Sequence, residues 1–357
     1  MSRIIRIPAM VDPHVHLRGM DWSHKGDFAT ETASAVAGGY WAVFDMPNTL
    51  PSTVTRQTLD RKLREISESA YCDWGVYFGA SNEQNWLAYD ESIYRDTCGL
   101  KMFCNATTGF LLIDDPSVRE AHYQHWTDNK PIAVHAEGET VVEILALVRQ
   151  YRRRTHFLHI STAFEIETLT AAKAEGLPIT IGVCPHHLWL TESDLPMLKG
   201  FGLMKPELKT ARDRDALWRA LQSGVVDVVE SDHAPHTLTE KQSDKPPYGV
   251  PGLETTLPLL LTAVQEGRLT LDQVVALVSE NPRRIWGLHA PDETYALVDL
   301  DAAYTISNGA LHNLCQWTPF DGMRVQGRVM GNWIRGVQVY DGESVLAPRG
   351  FGMNVYA

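Results

Sequence analysis

Short apolar, β-branched runs alternate with amphipathic stretches from one end of this chain to the other. Residues 4–16, 41–46, 74–80, 99–103, 132–135, 155–161, 179–184 and 225–231 read as strands. Between them, residues 28–37, 58–69, 116–126, 140–153, 163–174 and 212–222 carry apolar positions at helical spacing. In 140–153 these are Val142, Ile144, Leu145 and Val148, with a basic tail at the C-terminal end, where the helix dipole favours it. Strands alternating with helices imply βα units and a parallel sheet. Eight of them predict an α/β fold of the (β/α)8 TIM-barrel type, with its chemistry at the C-terminal strand ends. Two more helices are expected at 255–264 and 271–280, then a β-rich tail at 297–339 with turns at Asp321-Gly322 and Gly331-Asn332. The expected division is a barrel over 1–290 and a small β-rich appendage over 291–357. Residues 241–251 read as the most loop-like stretch.

Polar residues with chemistry to offer fall at those strand ends. In Asp12-Pro13-His14-Val15-His16-Leu17-Arg18 two histidines stand two apart at the end of the first strand. Residues two apart on a strand share a face, as two ligands of one metal ion require. Arg18 follows, placed to grip an anion beside that metal. The second strand runs into Met46-Pro47-Asn48-Thr49, and the fourth carries Lys101. The fifth ends in His135, the sixth in His159 and the eighth in Asp232. Together these suggest a two-metal hydrolase centre, with His14, His16 and Asp232 on the more buried ion and His135 and His159 on the other. A lysine repels cations, so Lys101 needs a reason to be there. Kept neutral, it can react with CO2 to give an anionic carbamate that bridges two ions. Singly, each residue has a plainer reading: Lys101 a surface ion pair, His135 or His159 a hydrogen-bonded core histidine, Asp232 a loop cap, Asn48 a turn residue.

Composition narrows the partners. The 357 residues are 44% hydrophobic with a formal net charge of −12, which argues against nucleic acid or an anionic membrane. An anionic substrate would then need local positive charge from metals and arginine. No apolar run approaches the ~18 residues of a membrane span, and the N-terminus has no signal-peptide pattern. Five scattered cysteines (72, 98, 104, 184 and 315), none in a C-x-x-C pair, point to a reducing cytoplasm.

The chain resembles the dihydroorotase family of the amidohydrolase superfamily. The likeness rests on Asp12 to Arg18, Met46 to Thr49, Gly99 to Phe103, Val134 to Glu137 and Cys184-Pro185-His186-His187-Leu188. It continues through Ser231-Asp232-His233-Ala234-Pro235-His236-Thr237, Pro251-Gly252-Leu253-Glu254-Thr255 and Asn281-Pro282-Arg283-Arg284-Ile285. Ser231 to Leu238 and Trp317-Thr318-Pro319-Phe320 look most like the dihydroorotase domain of the animal multifunctional pyrimidine-synthesis protein. The resemblance implies two Zn2+ ions held by His14, His16, Lys101, His135, His159 and Asp232, with Lys101 as the carbamylated bridge. It implies that Arg18, Asn48 and His236 hold the substrate carboxylate, and that 105–109 is a mobile loop bringing Thr107 into the site. Lys205 and the Pro251-Gly252 backbone would line the ring pocket, and His186 and His187 would be structural. The implied reaction is cyclisation of N-carbamoyl-L-aspartate to L-dihydroorotate and its reverse, with Asp232 as general acid and base. A homodimer and association with aspartate transcarbamoylase are also implied. Gly19-Met20-Asp21-Trp22 departs from the family's Glu-Pro-Gly after the arginine, and the N-terminal strands of the appendage are nearly absent. The rival readings are a hydantoinase or allantoinase, whose substrates lack the carboxylate, and a catalytically silent relative, which would be expected to lose ligands.

Overall fold

The computed structural model describes residues 3–356. After β1 (Ile4–Pro8), eight parallel strands follow in chain order: β2 (Met10–Val15), β3 (Tyr40–Asp45), β4 (Asp73–Gly79), β5 (Gly99–Phe103), β6 (Ile132–His135), β7 (Thr155–Phe157), β8 (Ile179–Val183) and β9 (Val228–Val229). Each pairs with the next, and the ring is drawn together where the His16 amide donates to the His233 carbonyl at 2.7 Å. The expected barrel is therefore what forms. Its strands are buried on both faces because helices cover the outside, which is why they read as continuous apolar runs. Those helices start where a side chain accepts the free amide of the first turn: Asp27, Thr55, Thr162 and Thr210 each close a capping box.

A second, antiparallel sheet has the order β1, β10 (Tyr295–Thr305), β11 (Arg324–Ile334), β12 (Val337–Tyr340). Its edge strand comes from the N-terminus. Residues 4–16, expected as one strand, are two strands in two sheets. Pro8 has no N–H to carry a ladder onward, and the chain changes sheets between Pro8 and Met10. The turn expected at Gly331-Asn332 is also absent. Both residues lie within β11, where a bulge frees Asn332 to donate its amide to the carbonyls of Val36 (3.1 Å) and Tyr40 (2.9 Å). This contact ties the second sheet to the barrel. The reversal falls instead at Arg335-Gly336, both at positive φ. No helix of the described residues is long and apolar enough to cross a membrane.

Candidate active site

The C-terminal ends of the barrel strands surround a narrow cavity. Its wall includes His14, His16, Arg18, Asn48, Lys101, Thr107, His135, His159, Lys205 and Asp232. Ten residues spread from position 14 to 232 thus converge on one space. His236, Pro251 and Gly252 are not on this wall. His236 stands behind Arg18, and the Gly252 amide is turned onto His233 Nδ1 at 3.2 Å. The backbone that reaches the cavity is Tyr248-Gly249.

The ligand atoms of His14, His159 and Asp232 lie within 4.8 Å of one another, and all three residues are buried. Nε2 of His14 and Nε2 of His16 are 3.2 and 3.1 Å from the same Asp232 oxygen. The hydrogen bonds fix the His16 tautomer. Asn48 Nδ2 donates to the Thr108 carbonyl at 2.9 Å, so Asn48 Oδ1 accepts from His16 Nδ1–H at 2.8 Å. That leaves the His16 Nε2 lone pair facing Asp232. On the other side Nδ1 of His135 and Nε2 of His159 are 2.9 Å apart, while His135 Nε2 is 3.2 Å from Glu137 Oε1. His16, with one ring nitrogen held from behind and the other facing the site, has the pattern of a metal-binding imidazole. Burial pushes His14 down to about 4 and also lowers His16, His135 and His159. All four are neutral at pH 7, the form that binds metal.

The residues fit a metal pair on a direct observation. Lys101 Nζ and His159 Nδ1 are fully buried polar atoms without a hydrogen-bond partner among the described residues. Buried polar groups are nearly always satisfied, so two orphans beside one cavity mark a missing binding partner. Burial brings the Lys101 amine down to about 7. Burial thus favours the uncharged amine, which can add CO2 and release a proton to give a carbamate. A surface ion pair is excluded, because Lys101 is wholly buried and among the described residues has no carboxylate within ion-pair distance.

Asp232, His159 and Arg18 sit at positive φ (44°, 39° and 63°). For non-glycine residues this costs about 1–3 kcal/mol each, and these three of the ten such positions among the described residues are on the cavity wall. Asp232 is buried, which raises its carboxyl above the ordinary range against the pull of His14 and Lys101. Arg18 is 2% exposed, and burial lowers it to about 10. Its Nε donates to the Pro235 carbonyl and an Nη to His236 Nε2, both at 3.0 Å. Among the described residues no carboxylate lies within ion-pair distance of it. The 105–109 segment is folded onto the cavity, where Thr108 Oγ1 donates to the Tyr248 carbonyl at 2.9 Å.

One important residue escapes the sequence reading. Glu230 is fully buried at the end of β9. It accepts the His159 amide at 2.7 Å, contacts His156 Nε2 at 3.1 Å and lies 3.6 Å from His14 Nδ1. Burial alone would raise its carboxyl, but His156 and His14 hold it down to about 2. It thus places a fixed negative charge behind two candidate ligands. A Cβ at Gly182 would come within 2.4 Å of its carboxylate, so the neighbouring strand must have glycine there. The signal was the two-residue spacing from Asp232, the same periodicity that singled out His14 and His16.

An eight-stranded barrel that gathers histidines, a lysine and an aspartate at its strand ends is the architecture of the amidohydrolase superfamily. No family model matches the chain, but whole-protein comparisons do. The chain is 43% identical over 357 residues to the multifunctional protein CAD of Squalus acanthias, spanning 99% of this chain and 16% of that protein. It is 35% identical over 378 residues to the dihydroorotase of Halobacterium salinarum, spanning 96% of this chain and 87% of that enzyme. On this basis the chain belongs to the dihydroorotase family. Among solved structures, the L-hydantoinase (dihydropyrimidinase) of Arthrobacter aurescens superposes with a TM-score of 0.92 at 25% identity, covering 99% of this chain and 89% of that one. An inactive dihydroorotase-like domain of the Chaetomium thermophilum CAD-like multifunctional protein also superposes, with a TM-score of 0.82 at 25% identity and 99% of both chains covered. Fold alone therefore does not separate dihydroorotase, hydantoinase and inactive relative.

Proposed function

We propose that this chain catalyses the reversible cyclisation of N-carbamoyl-L-aspartate to L-dihydroorotate in pyrimidine synthesis, as a zinc enzyme of the cytoplasm. The observation that carries this is Arg18: a buried guanidinium on the cavity wall with no carboxylate partner among the described residues. A buried charge without a partner is costly, and the substrate carboxylate is the partner that fits. An uncharged hydantoin would leave it unpaired, which ranks the hydantoinase reading lower in spite of the close superposition. The inactive-relative reading predicts a depleted ligand set, whereas His14, His16, Lys101, His135, His159 and Asp232 are all present around one cavity.

When bound, zinc ions held by His14, His16, Asp232, His135, His159 and a carbamate on Lys101 would acidify a water and polarise the ring amide. The remaining roles belong to the chain. Arg18, braced by His236, grips the carboxylate, and Asn48 orients His16 and anchors Thr108. Thr107 and Lys205 bound the ring, and the 105–109 segment excludes bulk water over it. In hydrolysis Asp232 takes the proton of the attacking water and delivers it to the leaving ring nitrogen. In cyclisation the same carboxyl runs in reverse. Dimerisation and docking of an aspartate transcarbamoylase extend the reading from the CAD relative. The test is the zinc content and dihydroorotate hydrolysis of the purified chain beside Lys101→Ala. The proposal expects metal and activity in the first and loss of both in the second. Full metal and activity in Lys101→Ala would overturn the two-metal reading.

A further inference from the structure

We propose that Cys184, His186 and His187, which lie off the cavity wall, form a further metal site suited to a single zinc-like cation. The three follow the end of β8 in Cys-Pro-His-His order, and Pro185 opens the short helix Pro185–Trp189. That turn folds a thiol and two imidazoles back on one another, so that their ligand atoms all lie within 4.8 Å. All three residues are at most 2% exposed. None of them lines the cavity, and the proposed mechanism uses none.

An independent sign of a ligand comes from the hydrogen bonds. His186 Nε2 and His187 Nδ1 are buried and have no hydrogen-bond partner among the described residues. His187 Nε2 is 2.9 Å from the Pro206 carbonyl, so it must be the protonated nitrogen that donates. Nδ1 is then an unprotonated acceptor, buried and unused. This arrangement, one ring nitrogen donating to a backbone carbonyl and the other presenting a lone pair, is how proteins orient a metal-binding histidine. The two rings lie 4.4 Å apart at 64°, so neither nitrogen is explained by a bond to the other ring in a common plane. If the two histidines were purely structural, their buried nitrogens would be expected to find donors within the fold.

The donor set selects the ion. A thiolate and two imidazoles are soft to borderline ligands, which suit zinc and exclude magnesium and calcium. Three protein ligands supply three of the four positions of a tetrahedral zinc site. Among the described residues Cys184 is the one thiol in such a group; the other four cysteines are buried outside it.

The site can be read without reference to activity, because the cavity ligands include no sulfur. The purified full chain, stripped of metal and loaded with Co2+, should show a near-ultraviolet thiolate-to-cobalt charge-transfer band. Cys184→Ser should lose that band and about one equivalent of cobalt while keeping the cobalt of the cavity. His187→Gln should weaken the same band. The zinc-loaded wild type should show a sulfur neighbour at about 2.3 Å by X-ray absorption, a measurement that needs no variant. A wild-type chain with neither band nor sulfur neighbour at saturating metal would overturn the proposal, as would a band that survives in Cys184→Ser. Failure of the cavity to bind metal would leave the sulfur signal standing, so the two centres are judged separately.

Discussion

Replacing Arg18 by methionine isolates the feature that separates a dihydroorotase from a hydantoinase on the same fold. The side chain is 2% exposed and two of its nitrogens are committed to Pro235 and His236 at 3.0 Å each. Methionine keeps most of the volume and removes the charge. A charge-assisted hydrogen bond contributes about 1.5–3 kcal/mol, which at about 1.4 kcal/mol per factor of ten is roughly a 10- to 150-fold loss. That loss should appear in kcat/KM for dihydroorotate, through KM where the carboxylate is gripped equally in ground and transition states. With an uncharged hydantoin or dihydropyrimidine the variant should match the wild type or exceed it, since no buried guanidinium is left unpaired. The assay is kcat/KM for both substrates on both proteins, with zinc content measured to show that the metal centre is intact. An equal fall on charged and uncharged substrates would refute the role of Arg18 as the carboxylate reader.

Other outcomes follow from the same geometry. Lys241 is buried and its ammonium donates to the carbonyls of Leu203 (3.0 Å), Pro247 (2.8 Å) and Gly249 (2.9 Å), fixing the segment that brings Tyr248 to the cavity. Lys241→Met should therefore raise KM at unchanged zinc content, and an unchanged KM would show that the segment holds itself. Gly182→Ala should destabilise the chain by several degrees in Tm, because its Cβ meets the Glu230 carboxylate at 2.4 Å; a Tm equal to wild type would contradict the packing. His312 is raised above its ordinary value chiefly by its hydrogen bond to Glu254. A raised pKa favours the folded state while the histidine is protonated, so the contribution is full below the unfolded value near 6.5. It fades as pH climbs through the folded value. The Tm gap between wild type and His312→Gln should shrink across that window, and a gap that widens with pH would reverse the assignment.

The residues that could be read from the sequence were those whose chemistry and periodicity agreed. His14 and His16 share a strand face, Lys101 stands out as a charge within an apolar strand, and eight buried strands announce a parallel barrel. What escaped depended on where backbone leaves a ladder. Residues 155–161 looked like one strand, yet β7 ends at Phe157 and His159 turns to a φ of 39°. Pro251 and Gly252 were expected at the ring pocket, but His233 takes the Gly252 amide and Tyr248-Gly249 reaches the cavity instead. Lys241 is hidden for a different reason: its role comes from the carbonyls of Leu203, Pro247 and Gly249, which only the folded chain brings to its ammonium. Glu230 carries only its two-residue spacing from Asp232, and its imidazole partners lie far off in sequence. Gly331-Asn332 carried a turn signature and became a bulge because Asn332 finds Val36 and Tyr40 across the domain.

The central claim is that this cavity interconverts a ring amide and an open-chain acid, with Asp232 carrying the proton. Carbamoyl aspartate has two carboxylates and dihydroorotate one, so closure consumes a proton. The equilibrium should shift tenfold toward the ring for each unit the pH falls. The decisive measurement is the rate from both directions with the zinc-loaded chain and with Asp232→Asn, across pH. The account predicts that the wild type reaches the same pH-dependent ratio from either substrate. It predicts that Asp232→Asn, with its metal retained, loses about 10²- to 10⁴-fold in both directions, as for a missing general acid–base. A zinc-loaded wild type that converts neither substrate, or an Asp232→Asn chain with near-normal rates, would contradict it.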